Sequence, residues 1–330
     1  MVNKTDIRLQ RKKGSPAPSN EEGFVLVTVL LIIAILFPLV LAFGSRVQVN
    51  LMQAENFRNS VQAVRLARSG VEGAMGILKG DDASYDSRKD RWALDFPSIA
   101  ADEGKVDVRI EDDDGKISLN LLVLPNGVDV NKEVEQRLRS LIRRIGGRPE
   151  VVDALIDWID INDDLTGTEG AEKEHYEEQG LQCKNGPIDS VDELAMIKGF
   201  DKDLLVTKKL LDYVTVVQTD GKINVNTAHP EVLLAVLATQ TTGLAQPLND
   251  GDVEDLVRYR DEHELKDIKE LNQVVKISTA QAGTIANLVK VNSMFFTVRS
   301  TCSLAKVVHT AEAVLRRDGN TIITTSWREY

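Results

Sequence analysis

Two cysteines, Cys183 and Cys302, and four histidines are all that the 330 residues hold of the side chains that most often carry redox, nucleophilic or zinc chemistry. The histidines, His175, His229, His263 and His309, stand apart, with neither a zinc-ligand spacing nor a nucleophile partner. No phosphate-cradling glycine loop and no nucleophile elbow occurs in the sequence. The chain therefore reads as a non-enzyme. Its cysteines could pair in an oxidising compartment, although nothing in their spacing brings them together. Positive charge is also scarce: 40 Lys and Arg face 51 Asp and Glu, for a net charge of −11. Phosphate backbones are gripped by clustered Lys and Arg, so no nucleic-acid partner is expected, and divalent cations suit this composition better.

What the chain does have is one long uncharged apolar run, residues 24–43. As a helix rising about 1.5 Å per residue it covers about 30 Å, the thickness of a bilayer core. Ahead of it, Lys4, Arg8, Arg11, Lys12 and Lys13 outnumber Asp6, Glu21 and Glu22. This bias holds the N-terminal side in the cytoplasm and sends the remainder across the inner membrane. A secretory signal would have a shorter apolar region and a small-x-small cleavage site, which Ala42-Phe43-Gly44 supplies only weakly. A plain anchor leaves the abrupt edge at Gly23-Phe24 unexplained. A glycine followed by a large apolar residue at the membrane edge reads instead as a type IV prepilin-like junction, with residues 1–23 the leader and 24–43 the membrane part of the helix.

Helical spacing continues from Ser45 to Lys79 through Val47, Leu51, Ala54, Phe57, Val61, Val64, Ala67, Val71, Met75 and Leu78. Ala54, Ala63, Ala67, Gly70 and Gly73 form a small face that admits a close neighbour, whether a sheet or another subunit's helix. Alternation then predicts strands over Lys105–Glu111 and Lys116–Leu122, joined at Asp114-Gly115, with Asp112, Asp113 and Asp114 as a solvated turn. Three further strands are predicted over Met294–Thr301, Ala305–Arg317 and Thr321–Arg328. Between them helical patterns recur at 133–145, 149–159, 191–197, 203–214, 230–238, 250–261, 268–275 and 279–289. The fold class is α+β: a long N-terminal helix packed on an antiparallel sheet whose two parts, 44–122 and 292–330, flank an inserted all-α domain, 123–291. Within the insertion, Asp220–Asn226 echoes Asp114–Asn120.

The densest chemical feature is Asp157, Asp160, Asn162, Asp163 and Asp164, followed by Glu169 and Glu172. So many carboxylates repel unless a cation sits among them, and Ca²⁺ takes six to eight oxygens. Asp160, Asn162 and Asp164 match the first ligand positions of an EF-hand. Leu165 then stands where the turn glycine belongs and Glu172 falls one place late, so the expectation is a calcium loop of another kind.

At this point the chain resembles, nearly end to end, the K-type minor pseudopilins of type II secretion systems (general secretion pathway protein K). The residues that carry the likeness are the Gly23-Phe24 junction, Asp157-Trp158-Ile159-Asp160 with Gly170-Ala171-Glu172, Ile223–Ala228, Val314–Arg317 and Ser326–Glu329. The resemblance implies a pilin-like fold with an inserted α-domain that binds calcium. It also implies a place at the tip of a periplasmic pseudopilus beside I-type and J-type minor pseudopilins, and processing by prepilin peptidase. Major pilins carry glutamate at the fifth mature residue; counting from Phe24, that place is Thr28, an exception the K-type family shares and one that suits a subunit with nothing above it. Two other readings compete. Gly221–Ala228 with Val257–Arg260 and Ile268–Leu271 is similar to the helix-hairpin-helix module of membrane-anchored DNA receptors, but Gly199-Phe200-Asp201 and Thr242-Gly243-Leu244-Ala245 lack the second glycine of a phosphate-binding hairpin. A minor pilin of a type IV pilus would share the junction and helix but not the large acidic insertion.

The expected product of processing is a chain beginning at N-methylated Phe24. Intact-mass measurement of the mature protein checks it, and a start at Met1 or Ser45 rules it out.

Overall fold

The computed structural model of the protein describes residues 20–101, 104–238, 247–275 and 278–330. The leader up to residue 19 and the Thr242–Ala245 stretch lie outside these. The chain divides into two units, one ending at Asn59 and one running from Ser60 to Tyr330.

Helix α1, Asn20–Lys79, runs through both units and keeps Pro38 inside it. In the first unit its apolar residues from Phe24 to Phe57 are exposed, and by length and composition this stretch can cross a membrane. Thr28 Oγ1 donates to the Phe24 carbonyl at 2.8 Å, so the hydroxyl is satisfied within the helix.

In the second unit the rest of α1 buries Ala63, Ala67, Val71, Ala74 and Leu78, one stripe at three- and four-residue steps. The stripe lies on a five-stranded antiparallel sheet of order β1-β2-β7-β8-β9. These strands are β1 (Ile99–Ala101), β2 (Gly104–Asp112), β7 (Phe295–Leu304), β8 (Val307–Asp318) and β9 (Thr321–Glu329). Val106, Ile110, Phe296, Val298, Leu304, Ala313 and Leu315 complete this core, with Trp92 edge-on to Phe296 at 5.1 Å. Arg68 pairs with Glu329 at 2.7 Å and ties the helix to β9.

The small face of α1 is largely used inside the chain: of the two neighbours it could admit, the sheet takes Ala63, Ala67 and Gly70. Ala63 and Ala67 are fully buried, and a Cβ at Gly70 would run into Ser300 and the Val108 methyl at 3.0 Å. Only Ala54 and Gly73 remain exposed, the latter with open space where a Cβ would stand.

The chain leaves the sheet after Asp112 and rejoins it at Phe295. The predicted Asp114-Gly115 hairpin does not form. Instead β3 (Ile117–Ser118) pairs in parallel with β4 (Val214–Thr215), and Leu119–Leu121 closes into a 3₁₀ turn. The reason is that Asp112, Asp113 and Asp114 are buried rather than solvated. Asp112 accepts from Ser293 Oγ (2.6 Å), Thr227 Oγ1 and Asn224 Nδ2; Asp113 accepts from Thr215 and Thr297, both at 2.7 Å. Asp114 accepts from the Phe295 amide and pairs with Lys290 at 3.0 Å. Beside them Asp86 takes the Ser293 amide and the Arg317 guanidinium. Burial pushes the Asp86 carboxyl up to about 7 and that of Asp114 up to about 6.

The insertion holds helices α2 (Lys132–Arg144), α3 (Val151–Ile159), α4 (Lys173–Glu177), α5 (Pro230–Leu237), α6 (Asp250–Glu262), α7 (Leu271–Val274) and α8 (Thr279–Leu288). Local capping accounts for their starts: Asn131, Asn249 and Ser278 each accept from first-turn amides. The helix expected over 203–214 breaks into two short turns, because Lys209 takes a left-handed φ of 59° and Val214 joins β4.

The echoed segments turn out to be a structural repeat. Each Asp-Gly-Lys-Ile leads into a two-residue strand in a parallel bridge, β3 with β4 and β5 (Ile223–Asn224) with β6 (Val289–Lys290). Two residues beyond each short strand an asparagine clasps two distant segments. Asn120 donates to the Ile188 and Val216 carbonyls and accepts from the Ile188 amide; Asn226 does the same with Leu265 and Val291.

Gly70→Leu is therefore expected to lower stability by about 1–3 kcal/mol or more through overpacking against Ser300, whereas Gly73→Leu leaves it within about 0.5 kcal/mol. Thermal melts of the two variants check this, and equal effects would contradict the packing described.

Candidate metal centre

Helix α3 is buried on all sides and carries two acids, Asp153 and Asp157, with Asp160 at its C-cap. Asp153 and Asp157, one turn apart, organise the backbone of residues 166–171. Asp153 Oδ2 accepts from the Thr168 and Glu169 amides at 3.0 and 3.2 Å. Asp157 accepts from the Thr166 amide at 3.0 Å and the Ala171 amide at 2.8 Å. The loop lies so close that Gly167, at φ +59°, and Gly170 have no room for a Cβ against these carboxylates. Asp153, whose other partner is Arg139, was not among the residues singled out from the sequence. The signal was present, since Asp153, Asp157 and Asp160 repeat at helical spacing.

Asp160 and Glu172 differ from these organisers. Both are almost fully buried, yet among the described residues Asp160 Oδ1 and both Glu172 carboxylate oxygens have no hydrogen-bond partner. Burial, with Asp157 as the nearest like charge, pushes the Asp160 carboxyl up to about 6. Burial and the charges of Asp157, Asp160 and Asp163 push that of Glu172 up to about 8. Buried carboxylate oxygens without a partner are costly, and the chemistry of a cation would fit them.

The remaining sequence-predicted residues are spread around this pair. Asn162 Oδ1 accepts from the Asp164 amide at 2.7 Å in a tight turn that leaves the Asp163 and Asp164 side chains exposed. Asn185 reaches the Asn162 carbonyl at 3.4 Å and Asp163 Oδ1 at 3.5 Å. Glu169 is paired with Arg148 at 2.5 Å and Lys198 at 3.6 Å, and Arg148 holds its carboxyl below the ordinary range. Among the described residues, the one trio of acidic, Cys or His ligand atoms lying within 4.8 Å of one another is elsewhere: Asp81, Asp86 and Asp90. Arg317 already supplies the positive charge there, pairing with Asp86 and standing 3.5 Å from Asp81.

The cysteines, for which the sequence allows a disulfide, do not meet. Cys183 lies in the helical core with its Sγ 3.7 Å from the Asp157 carbonyl, Cys302 lies in the sheet core opposite Val106 and His309, and both are free thiols. The residues that suggested a DNA-binding hairpin are structural as well. Phe200 is buried, Asp201 accepts from the Leu204 amide, and Arg260 is buried with its guanidinium on the Val225 and Ala228 carbonyls. His175 sits on α4 within hydrogen-bonding reach of Gln179, one turn on.

Comparison with known proteins gives this arrangement its context. Residues 115–219 match the family profile "Type II secretion system (T2SS), protein K". A "Type II secretion system protein K" of Pseudomonas aeruginosa is 29% identical over 231 residues, 66% of this chain and 68% of its own. One from Aeromonas hydrophila is 27% identical over 250 residues, 69% and 74% of the two chains. A chain of the enterotoxigenic Escherichia coli GspK-GspI-GspJ complex superposes with a TM-score of 0.67 at 16% identity, over 84% of this chain and 99% of that one. The fold is thus shared with that structure, and the profile and the two sequence relatives carry one family name. The chain is similar to the type II secretion system protein K family, in the profile over residues 115–219 and in the two relatives over about two thirds of its length.

Proposed function

We propose that the chain is a non-catalytic tip subunit of the pseudopilus, which joins I-type and J-type minor pseudopilins, helps initiate assembly and so supports protein export across the outer membrane. The observation that carries this reading is the shared fold with a chain crystallised in a K–I–J complex, taken together with the protein K profile over residues 115–219. The exposed apolar part of α1 suits a single pass through the inner membrane, with the leader cytoplasmic and residues from Ser60 onward periplasmic. Prepilin peptidase would act at Gly23-Phe24. Thr28, satisfied by its own helix, needs no partner amine from a neighbour, whereas a glutamate there would.

Co-expression with I-type and J-type minor pseudopilins followed by affinity purification tests this reading. Co-elution of both is expected, and their absence beside a folded chain would overturn it. Thr28→Glu is expected to lower secretion about tenfold at unchanged protein level, since an unpaired carboxylate at that depth costs about 2–3 kcal/mol or more.

The same reading includes Ca²⁺ in the loop. Asp160 and Glu172 supply unpaired oxygens, with Asp157, Asn162, Asp163 and Asp164 around them, while Glu169 is held by Arg148 and Lys198. The ion would neutralise buried negative charge and fix the segment between α3 and α4. Millimolar Ca²⁺ is expected to raise the melting temperature by several degrees at pH 8. Without calcium the sign with pH follows from Glu172. Its folded-state pKa of about 8 lies above the unfolded value, so the folded chain holds a proton the unfolded chain releases, and stability rises as pH falls from 8 towards 5. The calcium shift should accordingly shrink at pH 5. Glu172→Gln should abolish it without lowering stability in chelator, and a calcium shift that survives this variant would remove Glu172 from the site.

A further inference from the structure

The five-stranded sheet has two edges of different character. One edge, β1, is three residues long. The other, β9, is nine residues long, and among the described residues its backbone bonds only to β8, with Tyr330 continuing the ladder to Thr310. Every other backbone amide and carbonyl of such a strand faces away from its single neighbour and is free to pair. Natural edges are blunted by shortness, charge or proline. From Thr321 to Trp327, β9 has neither charge nor proline, in a chain of which 28% is charged. Its one irregularity is the bulge opposite Val314 and Leu315, where Thr325 Oγ1 donates to the Val314 carbonyl; this leaves two open runs, Thr321–Thr324 and Ser326–Glu329.

Side chains along the edge add a second, independent signal. Ile323 is 40% exposed, Trp327 39% and Tyr330 64%, the apolar and aromatic types that anchor protein interfaces. The strand is also held in place beforehand. Arg68 pairs with Glu329, and Arg328 donates to the Asp189 carbonyl of the insertion, so little further ordering would be needed on binding.

We propose that β9 is a docking edge to which an uncharged β-strand of a neighbouring pilin-like subunit adds as the sixth strand of the sheet. This inference rests on the assembly reading above. An open main-chain ladder is complementary only to another extended main chain, which selects a strand over a helix or a lipid. In a filament that rises in one direction through unlike subunits, neighbours meet head to tail and not about a two-fold axis, so the strand that meets β9 is a segment of a different subunit rather than a second copy of β9.

The test is hydrogen exchange on the full chain, alone and in the co-purified complex with I-type and J-type subunits. About tenfold slower exchange is expected at amides within Thr321–Glu329 in the complex, with β1 unchanged. The double variant Ile323→Lys/Ser326→Lys should retain partners about tenfold more weakly with a melting temperature within about two degrees of the parent, while Ala100→Lys on the β1 edge should have no effect. If the parent chain retains its partners and the double variant retains them equally, or if the β9 amides are unprotected in the complex, the docking edge is wrong and the assembly reading stands. If the parent retains no partner, the assembly reading itself fails. Protection of β9 in the isolated chain, with a dimer in sedimentation, would make a second copy the occupant and overturn the proposal. Should the double variant unfold, the exchange pattern of the parent chain decides alone.

Discussion

The globular unit depends on four buried carboxylates where the chain leaves and rejoins the sheet. Asp112, Asp113 and Asp114 follow one another at the end of β2, and Asp86 comes from the loop after α1. Their partners are scattered over the insertion and the returning strands: Thr215, Asn224, Thr227, Lys290, Ser293, Thr297 and Arg317. A buried carboxylate is tolerated only when its oxygens are bonded, and breaking such a pair typically costs about 3–5 kcal/mol. Each acid therefore fixes where several remote segments must lie. One contacts both repeats, one holds the return into β7, and one anchors the Arg317 end of β8. Arg317 is itself stacked over Phe296 at 4.9 Å, so the polar junction and the apolar core of the sheet share a residue.

Much of this architecture was legible in the sequence, because periodicity and capping are local. The long helix, β2, the three C-terminal strands and the longer helices α2, α5, α6 and α8 fall where their patterns place them. What was not legible depends on partners far away in sequence. Three consecutive aspartates before a glycine have the composition of an exposed turn, and only Ser293, Thr297 and Lys290, some 180 residues on, make them a buried junction. Gly70 and Gly73 are equivalent in a helical pattern, yet one lies on Ser300 and the other faces open space. Likewise, nothing local distinguishes the cysteines, which belong to separate cores.

The acidic loop shows the same limit at the scale of single side chains. Read as a string, its carboxylates are interchangeable ligands. In the fold they divide by what they already hold: Asp153 and Asp157 spend their oxygens on backbone amides, Glu169 is committed to Arg148 and Lys198, and Asp160 and Glu172 have oxygens left over. The organising acids shape the loop and the unpaired ones give it a charge problem. Trp158 packs edge-on against Tyr176 at 4.9 Å on the apolar side of the same segment.

The duplicated Asn clasp has a kinetic consequence. Strand β2 cannot pair with β7 until nearly two hundred residues have been brought back to it, a closure whose entropic cost grows with the length of free chain. Each half of the insertion closes on itself through its own short parallel bridge and its own asparagine, Asn120 in the first and Asn226 in the second. Once both halves have folded, the effective loop between Asp112 and Phe295 is far shorter than its residue count. The repeat thus lets one distant pairing be reached through a sequence of nearer ones.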